Sequence, residues 1–229
     1  MTVSISQPAY LAWLGYYHRI AISDVHVILD HVQIGQKSFT NRNKIRTKDG
    51  SLMLTIPLKT NGRIGRLPIH TIEVDETTWR IKHLESIRNS YSKAKYFKFY
   101  WPVLCEFYNM PNKKLVDFIS PIHHWFMEQL KIKSKTYEST ELNSQGTKSG
   151  LILNICKSLG ATQYLSGPLG RDYLNIIDFN NAGIKVVYHN YAHPVYTQVY
   201  PGFQPFMSVL DLFLNHGEES MKIIKSGNE

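Results

Sequence analysis

With 229 residues, 43% of them hydrophobic and 19% charged, the chain is an ordinary globular protein with ample apolar content for a core. Its net charge of +8 is uneven: residues 1–136 hold 20 Lys/Arg against 10 Asp/Glu, and residues 137–229 hold 6 against 8. The cations form no dense tract and accompany no RRM, zinc-knuckle or helix-turn-helix pattern, which argues against specific nucleic-acid binding and leaves solvated faces or a phosphate-bearing small molecule.

In chain order, residues 3–6 alternate apolar and polar as a strand does and end at Gln7-Pro8. Leu11, Trp13, Leu14, Tyr17 and Ile20 then recur at helical spacing, and residues 25–29 form a second strand closed by Asp30. This is a small βαβ unit, and in such units ligands gather at the carboxyl ends of the strands. Those ends carry Gln7, Pro8, Asp30, His31 and Gln33, followed by a cationic loop with Lys37, Asn41, Arg42 and Asn43. Residues 48–51 are a turn, and residues 52–58 read as a strand ending at Pro57. Gly62, Arg63, Gly65 and Arg66 make residues 59–68 a glycine-rich basic loop, either a plain connection or a cover for an anionic ligand. Residues 69–74 resemble another strand.

The pattern then turns helical. Thr78 is placed to cap a helix reaching Tyr91, with Lys82 and His83 on it. Residues 96–108 are rich in aromatics at helical spacing, which predicts core packing over a nucleic-acid platform. Residues 114–131 form a further amphipathic segment, broken at Ser120-Pro121. Residues 135–149 read as an exposed polar loop in which Glu138 and Glu141 are solvated. A helix over residues 151–159 stops at Gly160. A short strand then enters the Ser166-Gly167-Pro168 turn, after which Gly170-Arg171-Asp172 opens a helix. Its backbone N–H groups, with Arg171, suit a phosphate or carboxylate; alternatively Asp172 merely caps the helix and Gly167 makes the turn. Residues 183–189 are the next strand, and residues 208–214 the last helix, with Asp211 inside it.

Several chemistries are disfavoured. The one H-x-x-x-H spacing, His189 to His193, runs through a loop after a strand instead of a helix, and adjacent His123 and His124 point about 100° apart on a helix, so no metal site is evident. Walker A, GxGxxG and G-x-S-x-G motifs are absent. Cys105 and Cys156, far apart in apolar stretches, read as buried free thiols of a cytoplasmic protein. No apolar run approaches the ~18 residues of a membrane span, and no signal peptide precedes the first strand.

Several stretches together resemble the WbqC-like family. They are Gln7-Pro8 with Trp13-Leu14-Gly15-Tyr16-Tyr17, Asp24 with Asp30-His31-Val32-Gln33, Asn41-Arg42-Asn43-Lys44-Ile45 and Leu54-Thr55-Ile56-Pro57. Trp79 with Lys82-His83, the segment from Leu159 to Leu174, and the ending from Tyr196 to Leu212 extend the likeness over most of the chain. Ala12 stands where the family usually has Pro. The family is known mainly from sugar and surface-polysaccharide (O-antigen) biosynthesis clusters. A second, distant likeness is to HIGH-type nucleotidyltransferases and pantothenate synthetase-like ligases. Gly15-Tyr16-Tyr17-His18 occupies the place of their histidine-bearing helix start, although the paired-histidine motif is missing.

The expected fold is α/β: a Rossmann-like, mostly parallel sheet with flanking helices, in one domain over residues 1–229 with a helical lobe over about residues 78–132. The resemblance implies a pathway; with the polar strand ends and the cationic loop it leads to the expectation of a transferase or amide-forming ligase that moves an acyl or aminoacyl group to an amino-sugar nucleotide, its cofactor unknown, with ATP or an acyl donor as the candidates. The alternative is a non-catalytic binding or scaffold protein that assists glycan-building enzymes. Lys37 and Arg42 would bind phosphates, Gln7 and Asn41 the sugar, and His18 or His83 would take the amine proton. Asp30, Gln33, Ser166, Gly167 and Arg171 complete the expected substrate site, with both strand-end segments lining one pocket. Expected partners are a nucleotide-linked sugar or another phosphate-bearing small molecule, without nucleic acid; self-association into a homo-oligomer is left open.

Overall fold

The opening alternation builds β1 (Thr2–Ser6) in a computed structural model that describes residues 1–60, 62 and 65–227. Val3 and Ile5 turn to one face of the sheet and pack with Val25 and Val27 of β2 (Val25–Ile28). Ser4 and Ser6 turn to the other face, where both hydrogen-bond His26. Beyond β2 lies β7 (Lys135–Glu138); on the other side of β1 lie β8 (Gln163–Ser166) and β9 (Lys185–Tyr188). All pairings are parallel, in the order β7-β2-β1-β8-β9. Taken in chain order, the sheet strands read third, second, first, fourth, fifth. This is the doubly wound Rossmann arrangement, and its winding reverses between β1 and β8. The carboxyl end of β1 is therefore where a crevice opens.

One sheet face is covered by α5 (Lys148–Ser158) and α6 (Ile176–Asn181), with Leu151, Ile155 and Phe179 packed on Val3, Ile5 and Tyr164. On the other lie α1 (Leu14–Ala21) and α4 (Leu115–Gln129), whose His123 meets the rings of Tyr16 and Tyr17. A larger apolar cluster continues into α2 (Trp79–Tyr91), α3 (Phe97–Asn109), α7 (Val209–His216) and α8 (Ser220–Ser226). The aromatic run is core as its spacing predicts: Phe97, Tyr100, Leu104, Phe107 and Tyr108 are buried.

Several expectations are corrected. α1 begins only at Leu14, because Leu11 takes a left-handed backbone (φ 44°) that no right-handed helix continues. Arg42 opens a strand: β3 (Arg42–Thr47) pairs antiparallel with β4 (Gly50–Thr55), and the cationic residues hid the alternation of buried Asn43 and Ile45. Residues 69–74 hold a 3-10 turn, Ile69–Thr71, before the two-residue β6 (Glu73–Val74), which pairs with β5 (Leu58–Lys59). Thr78 holds the cap position of α2, but its side chain makes no capping bond.

Pro121 does not break α4. A proline in a helix interior costs roughly 3 kcal/mol. Here the helix buries Leu115, Phe118, Ile119, Ile122 and Phe126, each worth about 1.5–3 kcal/mol, so burial wins. The polar stretch after residue 134 is not all loop: it supplies edge strand β7, whose exposed position explains its polar composition. Gly170-Arg171-Asp172 opens no α-helix; it lies in a 3-10 turn, Pro168–Asp172, and Asn175 caps α6 by accepting the Ile177 N–H (3.2 Å). In the glycine-rich loop Gly62 and Gly65 turn with φ 74° and 85°, while Arg63 lies outside the described residues.

Candidate functional site

Two hollows open at the carboxyl end of β1, and Ser6 and Gln7 line both. The larger, about 490 Å³, has the size of a small-molecule site and is walled by Pro8, Trp13, Tyr16, Phe39 and Phe206, with Thr40 and Asn43. The second, about 360 Å³, lies toward α5 between Leu29, Val32, Leu151 and Tyr173, with Lys148 at its edge.

Local sequence explains the walls. The Trp13 indole folds over the start of α1, across Gly15: a Cβ there would meet the ring at 2.4 Å, so glycine makes room for it. The Tyr10 N–H donates to the carbonyls of Phe39 (3.1 Å) and Thr40 (3.2 Å). The Asn43 amide donates to the carbonyls of Tyr10 (3.2 Å) and Leu11 (2.8 Å), so the β1–α1 loop is fastened to the segment before β3. The Val209 N–H donates to the Ala12 carbonyl (2.8 Å), which brings Phe206 beside Trp13 with ring centroids 6.1 Å apart.

At the floor, Ser6 Oγ is hydrogen-bonded to His26 Nε2 (3.2 Å), and His26 Nδ1 to Ser4 Oγ (2.9 Å). Burial holds His26 well below its ordinary pKa, and His123 and Arg19 add to the effect. An imidazolium is thus unstable there, and His26 orients Ser6 as a neutral partner. Tyr16 Oη donates to the Gln7 carbonyl (3.4 Å).

At the ends of β2 and β7, Asp30 accepts hydrogen bonds from Ser139 Oγ (2.7 Å), Thr140 N–H (3.0 Å) and Thr140 Oγ1 (2.9 Å). Its carboxylate clamps two strand ends together, and it lines neither hollow. Glu138 is not a solvated loop residue: burial, with the Asp30 and Glu141 carboxylates near it, pushes its pKa up to about 7.

The other expected site residues are scattered. Gln7 lines both hollows, and its carboxamide has no hydrogen-bond partner among the described residues. Gln33 is exposed in an extended segment bridged to Pro68. Arg42 Nη2 donates to the Lys37 carbonyl (2.6 Å), and its guanidinium carbon lies 6.0 Å from the Phe39 ring, which places the Arg42 cation and the Lys37 backbone beside the larger hollow's wall. The Asn41 amide donates to the Ile56 carbonyl (2.8 Å) and serves the hairpin.

The Ser166–Arg171 turn shares the carboxyl edge but lines neither hollow, so the single-pocket arrangement is not what forms; Tyr173 is the nearest following residue that lines one. Ser166 Oγ turns back to the Gly167 carbonyl (3.0 Å), and Arg171 lies over the Tyr188 ring at 4.2 Å. Gly167 packs on Arg19, where a Cβ would come within 2.3 Å of Nη1; the Arg19 Nε is buried without a partner. His18 Nδ1 shares a 2.9 Å hydrogen bond with His189 Nε2 at the end of β9. Burial lowers both, His189 to about 4, with Lys225 adding to the effect on His18. His83 sits in the helical core, bonded to Tyr10 Oη (2.9 Å) and packed edge-on to Trp79, and burial lowers it to about 4.

Sequence reading missed Ser6, Phe39, Phe206 and Lys148 as lining residues, and it took Trp13 as one of a helical row. The signal for Trp13 was its neighbour Gly15, and Phe39, a lone aromatic in a polar loop, gave another; Phe206, in a run with Tyr200, Phe203 and Met207, gave none. The C-terminal signature serves the scaffold: Tyr91 Oη, Tyr196 Oη and Gln198 Nε2 each donate to buried Asp211 at 2.8 Å. Among the described residues no group of three His, Cys, Asp or Glu is placed to hold a metal, and no helix is long and apolar enough to cross a membrane.

Comparison with known proteins gives a match to the WbqC-like protein family over residues 7–223. The chain is also 30% identical over 227 residues to a Mycobacterium tuberculosis (strain ATCC 25618 / H37Rv) protein named "Uncharacterized protein Rv1507c", covering 95% of each. No solved structure matches it.

Proposed function

The chain belongs to the WbqC-like protein family, and from that premise we propose that it is a transferase joining an acyl or aminoacyl group to the amine of an amino-sugar nucleotide. A transfer requires two molecules held with their reacting atoms roughly 3–3.5 Å apart. The observation that carries the reading is that two separate hollows meet at Ser6 and Gln7, at the carboxyl end of the central strand.

In this reading the larger hollow takes the nucleotide-linked sugar. Arg42 and Lys37, beside Phe39, bind its phosphates, since a guanidinium fork matches phosphate oxygens. The unpartnered Gln7 carboxamide orients the sugar at the boundary. The second hollow, with Lys148, takes the donor. Of the two histidines considered as bases, His18 keeps a place at the sheet's carboxyl edge, against His189, although it lines neither hollow. His83 keeps none, because it is bonded to Tyr10 within the helical core.

A second reading, a ligand-binding or scaffold protein of glycan assembly, is favoured by one feature. Ser6 is bonded to an imidazole that has no carboxylate to stabilise its charge, unlike the base of a nucleophilic triad. Incubation with amino-sugar nucleotides, ATP and acyl donors, read by product mass, separates the two. A mass gain on one acceptor supports the transferase, and binding without turnover across the panel supports the scaffold.

A further inference from the structure

We infer that the larger hollow is a base-stacking site, in which Phe39 and Phe206 lie against a nucleobase and the attached diphosphate runs toward Arg42 and Lys37. This rests on the reading above in one respect, that the ligand is a nucleotide.

The rings are the first observation. Phe97, Phe107, Phe118, Phe126, Phe179 and Phe213 are buried, whereas Phe39 and Phe206 remain 53% and 57% exposed while lining one concave space. Phe99 is also exposed, on the surface of α3, but lines neither hollow. Phe206 is moreover held in place. Its backbone sits at φ 61°, in the left-handed region that a bulky residue rarely adopts. Its N–H donates to His193 Nε2 (3.2 Å), and its ring lies 5.2 Å from that of His193. The surroundings thus brace an apolar ring in solvent, an arrangement that suits a preformed ligand surface.

The hollow's polar groups tell a base from a pyranose. Asn43 is engaged with the Tyr10 and Leu11 carbonyls, Ser38 Oγ with Thr40 Oγ1 (2.8 Å), Ser6 with His26 and Tyr16 with the Gln7 carbonyl. The Gln7 carboxamide is left open. A sugar ring with several hydroxyls would find few partners. A flat heteroaromatic ring needs chiefly π faces to stack on, which leaves Gln7, at the boundary with the second hollow, to the sugar beyond.

Charge completes the argument. The ion pairs among the described residues join Lys59 and Lys113 to Glu73 and Arg80 to Glu76. Among the described residues Arg42, beside the Phe39 ring, and the exposed Lys37 have no acidic partner, and Nη1 of Arg42 makes no hydrogen bond that would compete with a phosphate.

The test is calorimetric titration with UDP, GDP and ADP, with inorganic pyrophosphate and a free amino sugar as controls, and fluorescence of Trp13 to locate the ligand. Wild type should bind at least one nucleoside diphosphate more tightly than pyrophosphate and quench Trp13, and Trp13→Phe should remove the quench. Phe39→Ala and Phe206→Ala should each weaken that nucleotide about tenfold, the scale of one lost stacking contact, and leave pyrophosphate unchanged. If an alanine variant does not fold, Phe→Leu keeps the apolar bulk without the ring and should show the same loss, and Phe206→Tyr should retain affinity.

The inference is overturned if the ring-lacking variants bind like wild type, if pyrophosphate or free sugar binds as well as the nucleotide, or if the hollow is instead covered by self-association. Ring-dependent nucleotide binding without any acyl transfer would sink the transferase and leave this site standing. Transfer with unchanged KM in both ring variants would do the reverse. Absence of nucleotide binding would end both.

Discussion

Glu138→Gln puts a number on the strain at the sheet's carboxyl edge. The Glu138 carboxyl ends β7 beside Asp30, with its pKa raised from 4.5 to about 7 by burial and then by the Asp30 and Glu141 charges. In the unfolded chain it ionises near 4.5, whereas in the fold it keeps its proton until about 7. The folded state therefore binds more protons across that window, and stability falls as pH rises through it. At 1.36 kcal/mol per pKa unit the whole shift would amount to roughly 3 kcal/mol. Glu138 is only half-buried, so solvent screening reduces this to about 1–2 kcal/mol. Glutamine imitates the protonated form. Urea unfolding followed by tryptophan fluorescence should find the variant about 1–2 kcal/mol more stable than wild type at pH 8, with the gap narrowing to well under half of that at pH 5. His83, His123 and His189, lowered to about 4, 3 and 4, act in the opposite sense, since stability from a histidine kept neutral rises with pH. They are common to both proteins and cancel in the difference. A gap that is the same at both pH values, or reversed, would refute the reasoning.

Arg42→Ala should weaken pyrophosphate or nucleotide binding about tenfold, because a charge-assisted hydrogen bond is lost. Calorimetry should show that loss while the unfolding midpoint moves by less than the equivalent of about 1 kcal/mol, Arg42 being partly solvent-facing. Asp211→Ala strands the Tyr91, Tyr196 and Gln198 donors in a dry site and should cost about 3 kcal/mol or more by denaturant unfolding. Cys156→Ser places a hydroxyl where a buried thiol is pushed up to about 12, and should cost about 1–3 kcal/mol without changing turnover of the folded protein. Lost turnover at normal stability would show that the thiol takes part in the chemistry.

Much of the fold was legible because its central strands and most helices announce themselves by period. β1, β2, β8 and β9 are short runs bounded by turn residues, and the apolar faces of α2, α3 and α5 recur at 3.6. The elements that escaped are those whose local composition is overruled by position. β7 is polar because it is an edge, β3 because only every second residue faces the core, and Pro121 is tolerated because its helix is heavily buried. None of these is decided within a window of ten residues. Each depends on what the chain brings alongside from far away.

The candidate site shows the same division at finer grain. Gln7 could be found because a strand end in a doubly wound sheet is where ligands collect, and only the order of strands, not any motif, is needed to say so. Within the opening motif, though, periodicity cannot separate wall from core. Trp13 and Tyr17 fit one helical pattern, with Tyr16 beside them, yet Trp13 and Tyr16 line the larger hollow while Tyr17 is packed on Phe126. Gly15 distinguishes them, since the indole lies across it and so cannot follow the direction a helical side chain would take. Likewise His18 and His83 are indistinguishable as histidines on helices. The chain folds one against His189 at the sheet edge and the other against Tyr10 in the core. The contacts that separate wall from core and edge from interior are formed by residues distant in sequence, and the aromatic hollow exists only because Ala12 and Lys44 receive the backbone of Val209 and Ser208, drawing Phe206 toward a loop that was already holding Phe39.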